Sequence, residues 1–264
     1  REMVIGESLV RHAAVRAVGF TGSLSGGMAL AKMASERPDP IPVFAEMGST
    51  NPMFVLPAAL ESQGDAIAER VFSSATNANG QMCTCPGLVF VARGNGSDAF
   101  ILALGRLTDA ATPQLMLSQR TRGNFARRVG EVADVAGVEL RAGRPPEGAG
   151  TDKTPPPQPI KGSPLIFRTS FETFRKTPTL HEEIFGPAVI VVVCESPAQL
   201  ADAAASIQGS LTGTIWAAGA DESHARRLQR ILEQRVGRLI FNGVPTGVEV
   251  CAAMVHGGPY PATN

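Results

Sequence analysis

The chain has 264 residues, enough for one large α/β domain or two ordinary ones around a sizeable buried core. Its 24 Lys and Arg balance 24 Asp and Glu, which removes the electrostatic footprint of a nucleic-acid or anionic-membrane binder. Charged residues at 18% with 28 Gly and 20 Pro describe a globular, enzyme-like chain with many tight connections and exclude charge-driven disorder.

Four cysteines, Cys83, Cys85, Cys194 and Cys251, do not make the framework of a small secreted scaffold, and a reducing, cytoplasmic setting is expected. Apolar runs such as Ala188 to Cys194 are far too short to span a bilayer. The opening Arg1-Glu2-Met3-Val4 lacks a signal-peptide pattern, so no targeting segment is expected and the first strand is expected soon after.

Strand-like and helix-like segments alternate, which predicts a parallel α/β architecture. Val15 to Phe20 reads as a strand that turns through Thr21-Gly22-Ser23 into a helix over Ser25 to Glu36, stopped by Pro38 and Pro40. Strands are predicted near Val43 to Met47 and Met53 to Leu56. Helical spacing of Ile67, Val71, Ala75 and Ala78 predicts a helix over Leu60 to Ala78, with Asn79-Gly80 as a left-handed stop. Cys83 then lies on the loop beyond that helix. Leu88 to Ala92 follows as a buried strand, with helices over Asp98 to Ala110 and Ser118 to Val135. Arg120, Arg122, Arg127 and Arg128 read as a solvated face of the second helix. Arg144 to Ser163, rich in proline, reads as an exposed excursion. After Glu183 an apolar strand runs to Val193, then a helix capped by Ser196 with Pro197 in its first turn. Strand Leu211 to Ala218, helix Glu222 to Gln234 and strand Arg238 to Phe241 complete the pattern, without internal repeats.

Three segments offer chemistry. The glycine-rich turn Phe20 to Gly27 joins strand to helix, where free N–H groups and the helix dipole favour a phosphate; tight turn geometry alone would also select these glycines. Glu46 ends an apolar strand, where partial burial would suit it as a general base, or it sits on an exposed strand end. Cys83 lies in the small-residue loop Gly80 to Gly87, open to attack on another molecule. Cys83 and Cys85 could also form a redox or metal pair, but no second pair at ligand spacing accompanies them, so no metal is expected. A Cys-His hydrolase with His181 or His256 as base is a further reading, although neither histidine has an activating sequence context.

In order and context these segments resemble the aldehyde dehydrogenase superfamily. Phe20-Thr21-Gly22-Ser23 resembles its pyrophosphate turn, Glu46-Met47-Gly48 its catalytic-glutamate motif, and Gly80-Gln81-Met82-Cys83 its nucleophile motif, 37 positions later. Glu182-Glu183-Ile184-Phe185-Gly186-Pro187 looks like the segment whose second glutamate binds the nicotinamide ribose and whose phenylalanine packs near the ring. The resemblance implies the end of a Rossmann-like dinucleotide-binding domain over 1–47, an α/β catalytic domain with a parallel sheet over 48–250, and a truncated return segment over 251–264.

It further implies NAD or NADP as cofactor, Cys83 as nucleophile and Glu46 as base. Gly22 and Ser23 would lie at the pyrophosphate, Glu183 at the ribose and Phe185 beside the nicotinamide. Cys85 is expected to be a bystander, and the Cys83 N–H to help hold an oxyanion. A family member would be about twice this length, would form a homo-oligomer, and would carry an oxyanion-hole asparagine upstream of Arg1. The run Gly243 to Cys251 and Met254 to Pro259 departs from the usual Pro-Phe-Gly-Gly type and is similar to the branch acting on 2-oxoglutarate semialdehyde (2,5-dioxopentanoate). No nucleic-acid or membrane partner is expected. The rival readings are a fold-retaining binding module without turnover and a thiol hydrolase or acyl transferase.

Overall fold

A computed structural model describes residues 2–146, 160–247, 249, 251–254 and 256–264. In chain order its elements are α1 (Glu2–Arg11), β1 (Val18–Thr21), α2 (Leu24–Ser35), β2 (Val43–Glu46), β3 (Met53–Val55), α3 (Pro57–Thr76), β4 (Leu88–Ala92), α4 (Asn95–Ala110), β5 (Gln114–Leu115) and α5 (Gln119–Ala133). There follow β6 (Val138–Gly143), β7 (Lys161–Gly162), β8 (Leu165–Ser170), α6 (Phe171–Lys176), β9 (Ala188–Cys194), α7 (Pro197–Ser206), β10 (Ser210–Trp216), α8 (Glu222–Leu232) and β11 (Val236–Phe241).

Seven strands form one sheet in the order β11-β10-β3-β4-β9-β8-β6. Every neighbouring pair is parallel except β6 with β8, so the parallel α/β expectation holds with an antiparallel edge. The continuous apolar runs of β4 and β9 are buried along their whole length because helices cover both faces. Alternate side chains serve opposite layers: Phe54, Phe90 and Ile190 pack with Phe125 of α5, Leu200 of α7 and Leu228 of α8. Met53, Val89 and Val191 pack with Val71 of α3 and Leu104 of α4. Phe54 stacks on Phe90 at 4.8 Å between centroids. Strands β1 and β2 pair in parallel as a separate two-stranded sheet, and β5 pairs with β7.

Residues Glu2–Arg11, for which no element was expected, form helix α1, and the first strand, expected over Val15 to Phe20, runs Val18–Thr21. Val4, Ile5 and Leu9 stay exposed on α1 while Val10 is buried, so its apolar residues do not mark a single face. The expected solvated arginine face of α5 is also corrected. Arg120 and Arg127 are exposed, but Arg122 and Arg128 are buried at 5% and 7% relative exposure. Within the expected excursion Arg144 to Ser163, residues 147–159 lie outside the described residues, and Lys161–Gly162 is a strand.

The loops that enter β3, β4 and β9 meet the carboxyl ends of β1 and β2. The Gly22 N–H donates to the Glu46 carbonyl at 3.0 Å, and a Cβ on Gly27 would come within 2.6 Å of Met47 Sδ. Close packing of α2 on β2 therefore requires glycine there. The last residues return to β2: the Met47 N–H donates to the Ala262 carbonyl at 2.7 Å. Asn264 Oδ1 accepts from the Ala45 N–H at 2.8 Å, and its Nδ2 donates to the Val43 carbonyl at 2.9 Å. This latch carries His256 over the end of β2.

Candidate active site

Cys83 lies between the left-handed residues that end α3 and strand β4. Ala78, Asn79 and Gly80 have φ of 49°, 54° and 69°. A Cβ on Gly80 would lie 2.1 Å from the Gly186 carbonyl carbon, so only glycine allows the cysteine loop to pack against the Glu183 to Gly186 segment. Asn51, itself at φ 45°, holds the loop from below. Its Nδ2 donates to the carbonyls of Cys83 and Cys85, both at 2.9 Å, while its Oδ1 accepts from the Thr212 hydroxyl at 2.9 Å and the Ser49 hydroxyl at 2.9 Å. A buried amide that satisfies both loop carbonyls anchors the thiol's backbone to β10.

The Cys83 thiol is partly buried, and its pKa is raised by desolvation and by the nearby Glu46 carboxylate, against an opposing pull from the N–H groups of Cys83 and Thr84. The resting sulfur thus holds its proton more tightly than an ordinary cysteine, although two backbone donors point at it. Cys85 is different. Burial pushes its pKa up to about 11, and its sulfur faces the Ser74 carbonyl at 3.6 Å.

Glu46 ends β2 with its side chain 18% exposed, so the partly buried setting is the one observed. Its carboxylate hydrogen-bonds His256 Nδ1, and His256 Nε2 lies 3.4 Å from Cys83 Sγ. His256 therefore does have an activating context, contrary to its reading from the sequence. That context is supplied by residues 210 and 173 positions away. Sulfur, imidazole and carboxylate ligand atoms lie within 4.8 Å of one another, a spacing that could also close on a metal ion. With one ring nitrogen on each neighbour, the imidazole is arranged as the middle of a hydrogen-bonded chain. His181 is a structural residue: it stacks on Phe174 at 4.0 Å, contacts the Phe174 carbonyl at 3.0 Å, and burial lowers its pKa.

A cavity of about 450 Å³ runs from Ser23 and Ser25 at the start of α2 past Gly48 to Glu183 and Phe185. Ser23 caps α2, its hydroxyl accepting from the Gly26 N–H at 3.2 Å. Gly22 lies in the turn just before it. Burial of the Glu183 carboxyl pushes its pKa up to about 8, partly offset by the Ser49 N–H. A Cβ on Gly48 would stand 2.7 Å from Glu183 Oε2, so the glycine leaves room for that carboxylate and for a ligand beside it. A helix N-terminus, polar lining and an exposed phenyl ring suit a dinucleotide.

Arg128 supports this wall from behind. Its Nη2 donates to the carbonyls of Thr179 at 2.9 Å and Glu182 at 3.3 Å, and its Nε to that of Glu183 at 3.3 Å. Sequence reasoning missed Arg128 and Asn51 as site residues and offered His256 only as the base of a rival Cys-His hydrolase reading. Asn51 alone left a local signal, the Asn-Pro turn that starts β3.

Residues 1–124 match the aldehyde dehydrogenase family. Over these residues, and in the relatives below, the chain is similar to that family. It is 43% identical over 262 residues to alpha-ketoglutaric semialdehyde dehydrogenase 2 of Azospirillum brasilense, covering 99% of this chain and 48% of that protein. It is 39% identical over 262 residues to the alpha-ketoglutaric semialdehyde dehydrogenase of Acinetobacter baylyi, covering 98% and 48%. The chain thus spans about half the length of the curated relatives it matches. The fold is shared with a mutant of Thermus thermophilus 1-pyrroline-5-carboxylate dehydrogenase, at a TM-score of 0.80 and 23% identity, covering 98% of this chain and 49% of that one.

Proposed function

We propose that the protein containing this chain oxidises 2-oxoglutarate semialdehyde to 2-oxoglutarate with NAD or NADP, through a covalent intermediate on Cys83. The observation that carries the chemistry is the facing of Cys83 and Glu46 across His256, with a cleft that suits a dinucleotide lined from Gly48, two residues beyond Glu46. The substrate rests on the names of the two relatives near 40% identity.

In this reading the Cys83 sulfur attacks the aldehyde carbon to give a thiohemiacetal, with the Cys83 N–H donating to the developing oxyanion. The nicotinamide supplies the hydride acceptor, so hydride loss leaves a thioester on Cys83. Glu46 then takes a proton from the water that cleaves that thioester. Gly22 and Ser23 serve the pyrophosphate, Glu183 accepts hydrogen bonds from the nicotinamide ribose, and Phe185 flanks the ring. Residues 1–47 are the end of the dinucleotide-binding domain, 48–250 the catalytic domain, and 251–264 a return segment. The substrate segment is taken as Gly243 to Pro259, of which residues 248, 250 and 255 lie outside the described residues.

None of the described helices is long and apolar enough to cross a membrane. We take the working form to be a homo-oligomer in the cytoplasm. The test is kcat/KM of the full-length protein for 2-oxoglutarate semialdehyde, succinic semialdehyde and uncharged aliphatic aldehydes. Strong preference for the first supports the substrate. A flat profile refutes the substrate and leaves aldehyde oxidation standing, whereas absence of aldehyde-dependent NAD(P)H formation refutes both.

A further inference from the structure

We propose that His256 is a catalytic residue, the proton carrier between Cys83 and Glu46. For turnover this rests on the function proposed above. The argument starts from the sulfur. It is desolvated and faces a carboxylate, so the resting group is a thiol, yet the nucleophile must be a thiolate. The Glu46 carboxylate holds the thiol proton in place and engages His256 Nδ1, and Nε2 lies 3.4 Å from Sγ as the base that can take that proton. An imidazole held in this way presents its free nitrogen to the thiol, and the carboxylate fixes the tautomer and stabilises the imidazolium.

One charge near the trio offsets part of the cost that the Glu46 carboxylate imposes on the thiolate. Arg238 of β11 lines a small cavity with His256 and Thr84, and its charge interacts with Cys83. Its Nη2 is committed to the Pro245 carbonyl at 3.0 Å, which holds the guanidinium in place. Cys85 lies beside the sulfur with its proton held by burial, and Glu183 acts on Cys85.

The proton balance closes. In acylation the S–H bond breaks, its proton moves to Nε2, and the sulfur lone pair forms the bond to the aldehyde carbon. Hydride leaves that carbon to the nicotinamide of NAD or NADP, which is reduced as the carbon becomes a thioester. In deacylation Glu46 takes a proton from water as the water oxygen bonds to the carbon. The C–S bond then breaks, and the leaving thiolate recovers its proton from the imidazolium. Glu46 and the product acid release one proton each to solvent.

The test is alkylation of Cys83 by iodoacetamide in the full-length protein, read at the Cys83 peptide by mass spectrometry across pH 5.5 to 10, for wild type and His256→Gln. No aldehyde or cofactor is involved, so the result is independent of whether the proposed function holds. Wild type should be alkylated measurably at neutral pH although its thiol pKa is raised, because His256 takes the proton as the sulfur attacks, and His256→Gln should be slower by about tenfold there, its rate rising only with the thiolate at alkaline pH. In single-turnover NAD(P)H formation the variant should also slow the burst, by about a hundredfold. Equal alkylation profiles for wild type and His256→Gln at equal Tm would overturn the proposal. Should His256→Gln melt early, His256→Asn gives the second reading and must slow alkylation at neutral pH in the same way.

Discussion

Arg128→Lys separates the support of the cofactor wall from the chemistry in front of it. The guanidinium reaches three carbonyls, those of Thr179, Glu182 and Glu183, from a buried position on α5. A lysine keeps the charge but has no fork and reaches one of them. Two hydrogen bonds to a charged donor are then lost, at about 1.5–3 kcal/mol each, partly recovered by rearrangement, for a net destabilisation of about 3 kcal/mol. The freed segment carries Glu183 and Phe185. A displacement of the order of 1 Å there should raise KM for the nicotinamide nucleotide by about tenfold or more, while iodoacetamide alkylation of Cys83 stays close to wild type. Urea unfolding of the full-length protein gives the first quantity and steady-state kinetics at saturating aldehyde the second. Lost stability with an unchanged cofactor KM would reduce Arg128 to a packing residue and refute the coupling; unchanged stability would refute the capping argument itself.

Four further outcomes are expected. Glu183 binds its proton more tightly folded, with a pKa near 8, than at its ordinary 4.5, so wild type loses stability as pH rises between those values; Glu183→Gln should therefore gain Tm over wild type progressively from pH 5 to pH 8, and a pH-independent difference would refute the burial of that carboxyl. Cys83→Ser should abolish aldehyde oxidation and Cys85→Ser should retain it, measured as NAD(P)H formation; the reverse would move the nucleophile. Glu46→Gln should keep an NAD(P)H burst, slowed through His256, and lose steady turnover by about a hundredfold or more; equal loss of both phases would place Glu46 before hydride transfer alone. Asn51→Ala should cost about 2–4 kcal/mol in urea unfolding, because two loop carbonyls and the Thr212 and Ser49 hydroxyls lose a buried partner; a neutral result would show that the loop is held elsewhere.

What could be read from the sequence was what is local. The continuous apolar runs of β4 and β9 and the Ser196-Pro197 start of α7 carry their own signals, and each forms as expected. Strands β6 and β8 did not, because β6 is an antiparallel edge with Glu139 and Arg141 along it, and β8 carries Arg168 among its apolar residues. Helix α1 was missed because its apolar residues do not share a buried face. The motif residues Glu46, Cys83 and Glu183 were identified by resemblance, and the structure brings them to one region. His256 was not legible, since its context is made by a chain reversal that returns to β2. Nor was Arg128: on a helix with arginines at 120, 122, 127 and 128, only packing decides which are buried.

The most direct measurement is the mass of the Cys83 peptide from full-length Glu46→Gln protein, quenched in acid soon after mixing with 2-oxoglutarate semialdehyde and NAD or NADP. With hydrolysis slowed, the acyl group should accumulate on Cys83 in step with the NAD(P)H burst, and should be absent when the oxidised cofactor is omitted. NAD(P)H formed with Cys83 unmodified, or an acyl group on another residue, would contradict the account.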